Sequence, residues 1–354
     1  MLSTNETPGK RGNATEDPGI MSKLISDFSQ IIAPMDPQEF FRDYFGQKPC
    51  FIPGPADKFE SVMSWPRLNR ILNQTSIWTS ENLLLVMDKD VLKPNDYCVS
   101  GLDRREKPCM KPDPIKVMQL IKDGASLALN QIDTLDEGLR ALSNALEERL
   151  FGKSQVNLYC SRRERQAFHP HDDSHDVFAL HCEGEKRWTV YDYRSENPIN
   201  HPMFKPVITP DHRDKLKGNV LMEPLMTPGD FLYIPRGQYH EALSVTDNCV
   251  HVACGVTYVI GMDLLSLTWE AAMKHPLFRA NVPPNVGPRS AADQRAYLIE
   301  LAKVMANTMA SPEFQKLVTE FQRNYRNNRG GFEFPVMGPT NIESLENKSD
   351  TAAE

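Results

Sequence analysis

The stretch His171-Asp172-Asp173-Ser174-His175-Asp176-Val177-Phe178 decides how the rest of the chain is read. It opens a strand expected over Asp173 to His181, with apolar neighbours on both faces at Val177 and Phe178. Successive strand side chains point to opposite faces. His171 and Asp173 therefore share one face, and Asp172 takes the other. An imidazole and a carboxylate so spaced can reach one metal ion from rigid backbone. His175 has the same parity, which makes it either a substrate contact or a hydrogen-bonded structural residue.

A third candidate ligand lies farther on. Gly229-Asp230-Phe231-Leu232-Tyr233-Ile234-Pro235-Arg236-Gly237 reads as turn, strand and turn, so the next strand can carry His240 back beside the first pair. Two histidines and one carboxylate on one face of an octahedron leave three positions open, the pattern of non-haem Fe(II) oxygenases. A surface polar pair at 171 and 173, with a structural histidine at 240, is the other reading of the same residues.

Around these residues the period is that of strands. Val156, Leu158 and Cys160 alternate with Asn157 and Tyr159. Further strands are expected at Arg187 to Asp192, Leu221 to Met226, Phe231 to Ile234, Glu241 to Val245 and Val250 to Tyr258. Turns at Glu183-Gly184-Glu185 and Thr227-Pro228-Gly229-Asp230 separate several of them. Many short strands in about a hundred residues point to a sandwich or barrel such as a jelly roll.

Upstream the signals are mixed. Asp36-Pro37-Gln38-Glu39 is a helix start with cap and proline in place. A short strand spans Lys48 to Gly54, a helix runs from Trp65 to Asn73, and a strand from Leu83 to Met87. Loops are expected to about residue 112. Asp113-Pro114 starts a helix with Ile115, Met118 and Ile121 on one face. Thr134-Leu135-Asp136-Glu137 caps another, whose Leu135, Leu139, Leu142, Leu146 and Leu150 lie on the core. After Gly261 the pattern is helical: one helix before Pro276, one carrying Leu298, Leu301, Met305 and Met309, and one from Ser311-Pro312 to Gly330. These last helices either dimerise or pack on the core.

Composition narrows the class. The 354 residues are 40% hydrophobic and carry a formal charge of −7, which argues against direct nucleic-acid binding. Seven cysteines occur with no Cys-x-x-Cys pair, as in a reduced chain rather than a disulfide framework. The first 23 residues lack the apolar run of a signal peptide, and no stretch is apolar enough for a membrane span. The expectation is a cytoplasmic protein without membrane contact. Its parts are a disordered tail (1–23), a catalytic domain (24–260), a helical module (261–331) and a second disordered tail (332–354).

Three ordered motifs resemble the JmjC-type 2-oxoglutarate oxygenases: residues 171 to 178, Glu183-Gly184-Glu185-Lys186-Arg187-Trp188, and residues 229 to 241. Phe41-Arg42-Asp43-Tyr44-Phe45-Gly46-Gln47-Lys48-Pro49 and Asn157-Leu158-Tyr159 are similar to motifs of the ribosomal oxygenases and their bacterial cupin-like relatives. The resemblance implies an α+β fold: a double-stranded β-helix (jelly roll, cupin) core, with N-terminal α/β elements and a C-terminal helical module. It implies Fe(II), 2-oxoglutarate and O2, with His171, Asp173 and His240 as catalytic metal ligands. Lys186 matches the residue that pairs with the distal carboxylate of 2-oxoglutarate, and Asn157 and Tyr159 match residues near that co-substrate. By charge and position alone Lys186 reads instead as a hairpin lysine in solvent. His181 and Cys182 depart from the family pattern; a satisfied core histidine is the plainer reading of His181.

The implied reaction is hydroxylation of a C–H on a protein or peptide side chain, with succinate and CO2 as co-products. A small-molecule or free amino-acid hydroxylase, an N-methyl demethylase, a metal cupin without 2-oxoglutarate and a non-catalytic binding protein are the alternatives. The helical module is short for that branch, so the resemblance leaves open whether the substrate is a ribosomal protein. Arg162, Arg163 and Arg165 form a basic patch where a substrate passes, or a solvated loop.

Overall fold

The computed structural model describes residues 24–332 except 104–105, 163–165, 202, 204–214, 285, 288–289 and 331. The first expected tail, the second beyond Phe332, and Arg163 and Arg165 lie outside the described residues.

The chain enters through short helices α1 (Phe28–Ile32) and α2 (Pro37–Asp43). Asp36 caps α2 by accepting from the amides of Gln38 and Glu39, and Pro37 takes the first helical position, where no N–H is needed. Then follow β1 (Cys50–Ile52), α3 (Trp65–Leu72), β2 (Leu83–Met87), β3 (Asp90–Val91), α4 (Pro94–Tyr97), β4 (Cys98–Leu102), β5 (Pro108–Pro112), α5 (Pro114–Lys122), β6 (Ser126–Leu129) and α6 (Glu137–Leu150). The strands of the core are β7 (Lys153–Ser161), β8 (Asp176–Glu183), β9 (Lys186–Arg194), β10 (Val220–Met222), β11 (Leu225–Met226), β12 (Phe231–Ile234), β13 (Gln238–Ser244) and β14 (Cys249–Thr257). Helices α7 (Gly261–Ala272), α8 (Ser290–Met309) and α9 (Pro312–Asn324) complete the chain.

Two sheets build the core. The larger has the order β1-β12-β8-β14-β7-β6-β2-β3, and the smaller sets β10, β11 and β13 against β9. Strand alternation divides their side chains between two layers. Phe178 and Leu180 of β8, Tyr233 of β12, Val252 and Cys254 of β14, and Leu158 of β7 turn one way, into the core beneath the helices. Leu139, Leu142 and Leu146 of α6 close that core, each contributing about 1.5–3 kcal/mol by leaving water. Val177 and Ala179 of β8, with Leu232 and Ile234 of β12, turn the other way. They meet Trp188 and Val190 of β9 between the two sheets. This is a double-stranded β-helix, and its inter-sheet space holds the site.

Several expectations need correction. The strand after His171 begins at Asp176, not Asp173, because Ser174 and His175 form a bend. The cap of α6 is Asp136, whose side chain accepts from the Gly138 amide, not Thr134. On α5 the buried residue is Val117, while Ile115 and Met118 are exposed. The loops expected after Met87 contain the β4–β5 hairpin, and the Leu221–Met226 strand is split by Pro224 into β10 and β11.

Candidate metal centre

His171 and His240 are an antiparallel hydrogen-bonded pair: the His171 amide donates to the His240 carbonyl at 3.0 Å, and the His240 amide donates back at 2.8 Å. Directly opposed residues of such a pair present their side chains on one face. The ring centroids stand 4.7 Å apart. Asp173, with the same parity, joins them, and the Gly237 amide pins its carbonyl at 2.9 Å. Gly237 adopts φ +82°, a left-handed turn that a side chain disfavours. The bend at 174–175 then passes the chain from the small sheet to β8 of the large one. The first two candidate ligands thus sit where the chain changes sheets.

Ligand atoms of His171, Asp173 and His240 all lie within 4.8 Å of one another. His171 Nδ1 faces the His169 carbonyl at 2.7 Å, and His240 Nδ1 faces the Gln238 carbonyl at 2.9 Å. A carbonyl only accepts, so both Nδ1 atoms carry the proton and both Nε2 atoms keep a free lone pair. Ligating histidines are commonly oriented in this way. Burial first, then His171, holds the His240 imidazole down at about 4, so it is neutral and ready to bind. Burial opposes the charge of Asp173, but His171, His175 and His240 together hold its carboxyl below the usual range. The donor set of two imidazole nitrogens and one carboxylate suits Fe(II) and related ions.

The cluster opens on a cavity of about 130 Å³. Asn157, Tyr159, His171, Asp173, Lys186 and His240, all singled out from sequence, line it. Lys186 is 3% exposed, not a solvent-facing hairpin residue. Its Nζ lies 3.5 Å from Ser161 Oγ and 3.3 Å from His251 Nδ1. Burial lowers its pKa, and among the described residues no carboxylate pairs with it. Tyr159 stacks on the His251 ring at 5.0 Å, and burial pushes its hydroxyl up to about 12. Asn157 Oδ1 accepts from the Gln131 amide at 3.1 Å, so part of its polarity is spent on structure.

Sequence reasoning gave no role to Trp188, His251 or Gly255, which also line the cavity. Trp188 stacks on His240 at 5.9 Å. The alternation of β14 was the available signal, since Val250, Val252 and Cys254 face the helices and leave His251, Ala253 and Gly255 for the cavity. Asp172 is not part of the lining, whereas His175 is. His181 is fully buried, with Nε2 3.0 Å from the Gly184 carbonyl. Its Nδ1 has no partner among the described residues, so it is a core histidine satisfied at one nitrogen. Arg162 pairs with Asp247 at 3.6 Å.

Residues 129–264 match the family model described as JmjC domain. That segment is similar to a JmjC domain. The "Bifunctional lysine-specific demethylase and histidyl-hydroxylase NO66" of Aedes aegypti is 25% identical over 291 residues, 80% of this chain and 43% of that protein. "Ribosomal oxygenase 1" of Danio rerio is 26% identical over 265 residues, 72% of this chain and 46% of its own length. The chain thus spans less than half the length of these curated relatives. Among solved structures, the Escherichia coli ribosomal oxygenase YcfD in complex with cobalt and 2-oxoglutarate aligns over 89% of this chain and 78% of its own, with TM-score 0.56 and 18% identity. That likeness is one of fold. The JmjC match covers the segment from β6 to the start of α7, which contains every residue named at the cavity.

Proposed function

We propose that this protein is an Fe(II)- and 2-oxoglutarate-dependent oxygenase that hydroxylates a C–H of a protein or peptide side chain. The observation that carries the reading is Lys186. A buried ammonium, without a carboxylate partner among the described residues, lines the same small cavity as a two-histidine, one-carboxylate cluster. Such a cavity suits a ligand with a metal-chelating end and a distal carboxylate, and the solved relative described with cobalt and 2-oxoglutarate supports that choice.

Fe(II) with 2-oxoglutarate and O2 supplies oxidative decarboxylation to succinate and CO2 and the oxygen atom for hydroxylation. The chain's residues do the rest. His171 and His240 offer Nε2, and Asp173 offers one carboxylate oxygen. Lys186 donates a charge-assisted hydrogen bond to the distal carboxylate, with Asn157 and Tyr159 beside it. Phe168, Trp188 and Val177 wall the cavity and keep bulk water from the reacting groups. Demethylation is the same C–H hydroxylation made on an N-methyl group. The Aedes relative's name joins both activities, which favours it as the second reading.

The test is calorimetric titration of 2-oxoglutarate into the Mn(II)-loaded chain, followed by succinate assay with Fe(II), O2 and candidate peptides. Metal-dependent binding and substrate-stimulated succinate are expected. Absence of both overturns the proposal.

The C-terminal helices support a homodimer. Met262, Leu265, Trp269 and Met273 form an exposed apolar stripe on one side of α7, and α8 has no buried residue. Trp269→Glu is expected to convert a dimer to a monomer in light scattering; a monomeric parent protein overturns this part. A cytoplasmic location rests on the cysteines, all seven of which are free. Among the described residues no helix is long and apolar enough to cross a membrane.

A further inference from the structure

We infer that His175 is a positioning residue for Asp173. It holds one carboxylate oxygen so that the other faces the metal; the inference rests on the metal-centre reading above. Two observations converge on it. The first is Gly255, in the interior of β14 and paired with Gln155 of β7 on one side and Val177 of β8 on the other. Glycine weakens a strand interior and marks a close approach of another group. Here that group is the His175 ring: a Cβ on residue 255 would lie 2.8 Å from its Cε1 and Nε2. The imidazole lies in a cradle that only glycine leaves open.

The second is the carboxylate itself. Asp173 Oδ2 stands 3.7 Å from His240 Nε2, and Oδ1 stands 4.0 Å from His175 Nε2. Each oxygen faces a different imidazole. The His175 contact is about an ångström longer than a hydrogen bond, and such contacts commonly tighten once a site is loaded. His175 Nδ1 is buried, with no partner among the described residues. A hydrocarbon ring would fill the cradle without that unsatisfied atom, so packing alone gives no reason for nitrogen here. The reason is Nε2, whose proton is placed to be donated to Oδ1. That contact leaves Asp173 a one-oxygen ligand of fixed orientation.

The test compares His175→Phe, His175→Gln and Gly255→Ala with the parent chain. The readouts are Co(II) affinity by equilibrium dialysis and the visible absorption of the Co(II) complex, without 2-oxoglutarate or turnover. Phe keeps the flat ring and loses the donor; Gln keeps a donor at the ε position. The expected result is a roughly 10-fold loss of affinity and an altered spectrum for Phe, recovery towards the parent value for Gln, and a Phe-like loss for Gly255→Ala, whose Cβ displaces the ring. Should the Phe variant not fold, Gly255→Ala and Gln carry the comparison. Parent-like binding by Phe, or equal losses in Phe and Gln, overturns the inference while leaving the metal centre intact. A parent chain that binds no Co(II) overturns both.

Discussion

His171 and His240 donate a backbone hydrogen bond to each other's carbonyl, at 3.0 and 2.8 Å. This reciprocal pair fixes both imidazoles on one face without help from their side chains. It lets two residues far apart in sequence act as one rigid support. The third group, Asp173, shares that face because strand side chains repeat every second residue.

Replacing any one of the three candidate ligand groups should remove metal and leave the fold. His171→Ala, Asp173→Ala or His240→Ala is expected to weaken Mn(II) or Fe(II) binding by roughly 100-fold or more, beyond the losses typical of groups that only orient a ligand. Metal analysis of the purified variants checks this. Asp172→Ala, whose side chain is outside the cavity lining, should retain metal.

Replacing Lys186 should separate co-substrate binding from metal binding. Lys186→Met should weaken 2-oxoglutarate by roughly 10- to 100-fold, the equivalent of one hydrogen bond to a charged group, with metal affinity unchanged. Without ligand the same variant should melt at a higher temperature, because a buried ammonium with no counter-charge among the described residues is replaced by an apolar chain. The sign with pH follows from the direction of the shift. Burial lowers the Lys186 pKa in the folded state, so its penalty is full at lower pH and fades as pH rises through the folded value. The stability gap between variant and parent should therefore narrow in alkaline buffer.

Much of the site was legible because its geometry is local. The spacing of His171 and Asp173, and the turn-strand-turn before His240, need only the period of a strand. The burial of Lys186 was not legible from its neighbours. Gly184 and Glu185 suggest solvent, and only the folding of β9 against β13 turns its side chain inward. Strand β6 was missed because Ser126–Leu129 is four residues of no evident period. The β4–β5 hairpin was missed because prolines at both ends of β5 argue against a strand. Arg329 gave no signal at all, since its partner Asp133 is 196 residues away.

Acid should destabilise the fold through His181. Its imidazole is fully buried, and burial lowers it from 6.5 to about 4. Between those values the unfolded chain binds a proton that the folded chain does not. Stability is thus flat above 6.5 and falls as pH drops towards 4, by roughly 3 kcal/mol from this residue. Urea denaturation at pH 7 and pH 4.5 measures the fall. His181→Leu is expected to make it shallower, and an unchanged pH slope in that variant would remove His181 as the cause.

The chain beyond α9 returns to the core through Arg329. Its side chain is 1% exposed and pairs with Asp133 at 2.5 Å and Glu147 at 2.7 Å. Glu147 also accepts from the amides of Ser154 and Asn327. The helices after β14 are thereby anchored at both ends, by the strand they leave and by this arginine. Arg329→Ala strands two acids around a buried gap, and breaking such a pair costs about 3–5 kcal/mol. Arg329→Lys keeps the charge but loses the planar fork that reaches both acids, so it should recover only part of the loss. In limited proteolysis the Ala variant should release α9 before the core is cut. Uniform cleavage of module and core would show instead that the arginine stabilises the whole domain rather than the return of the chain.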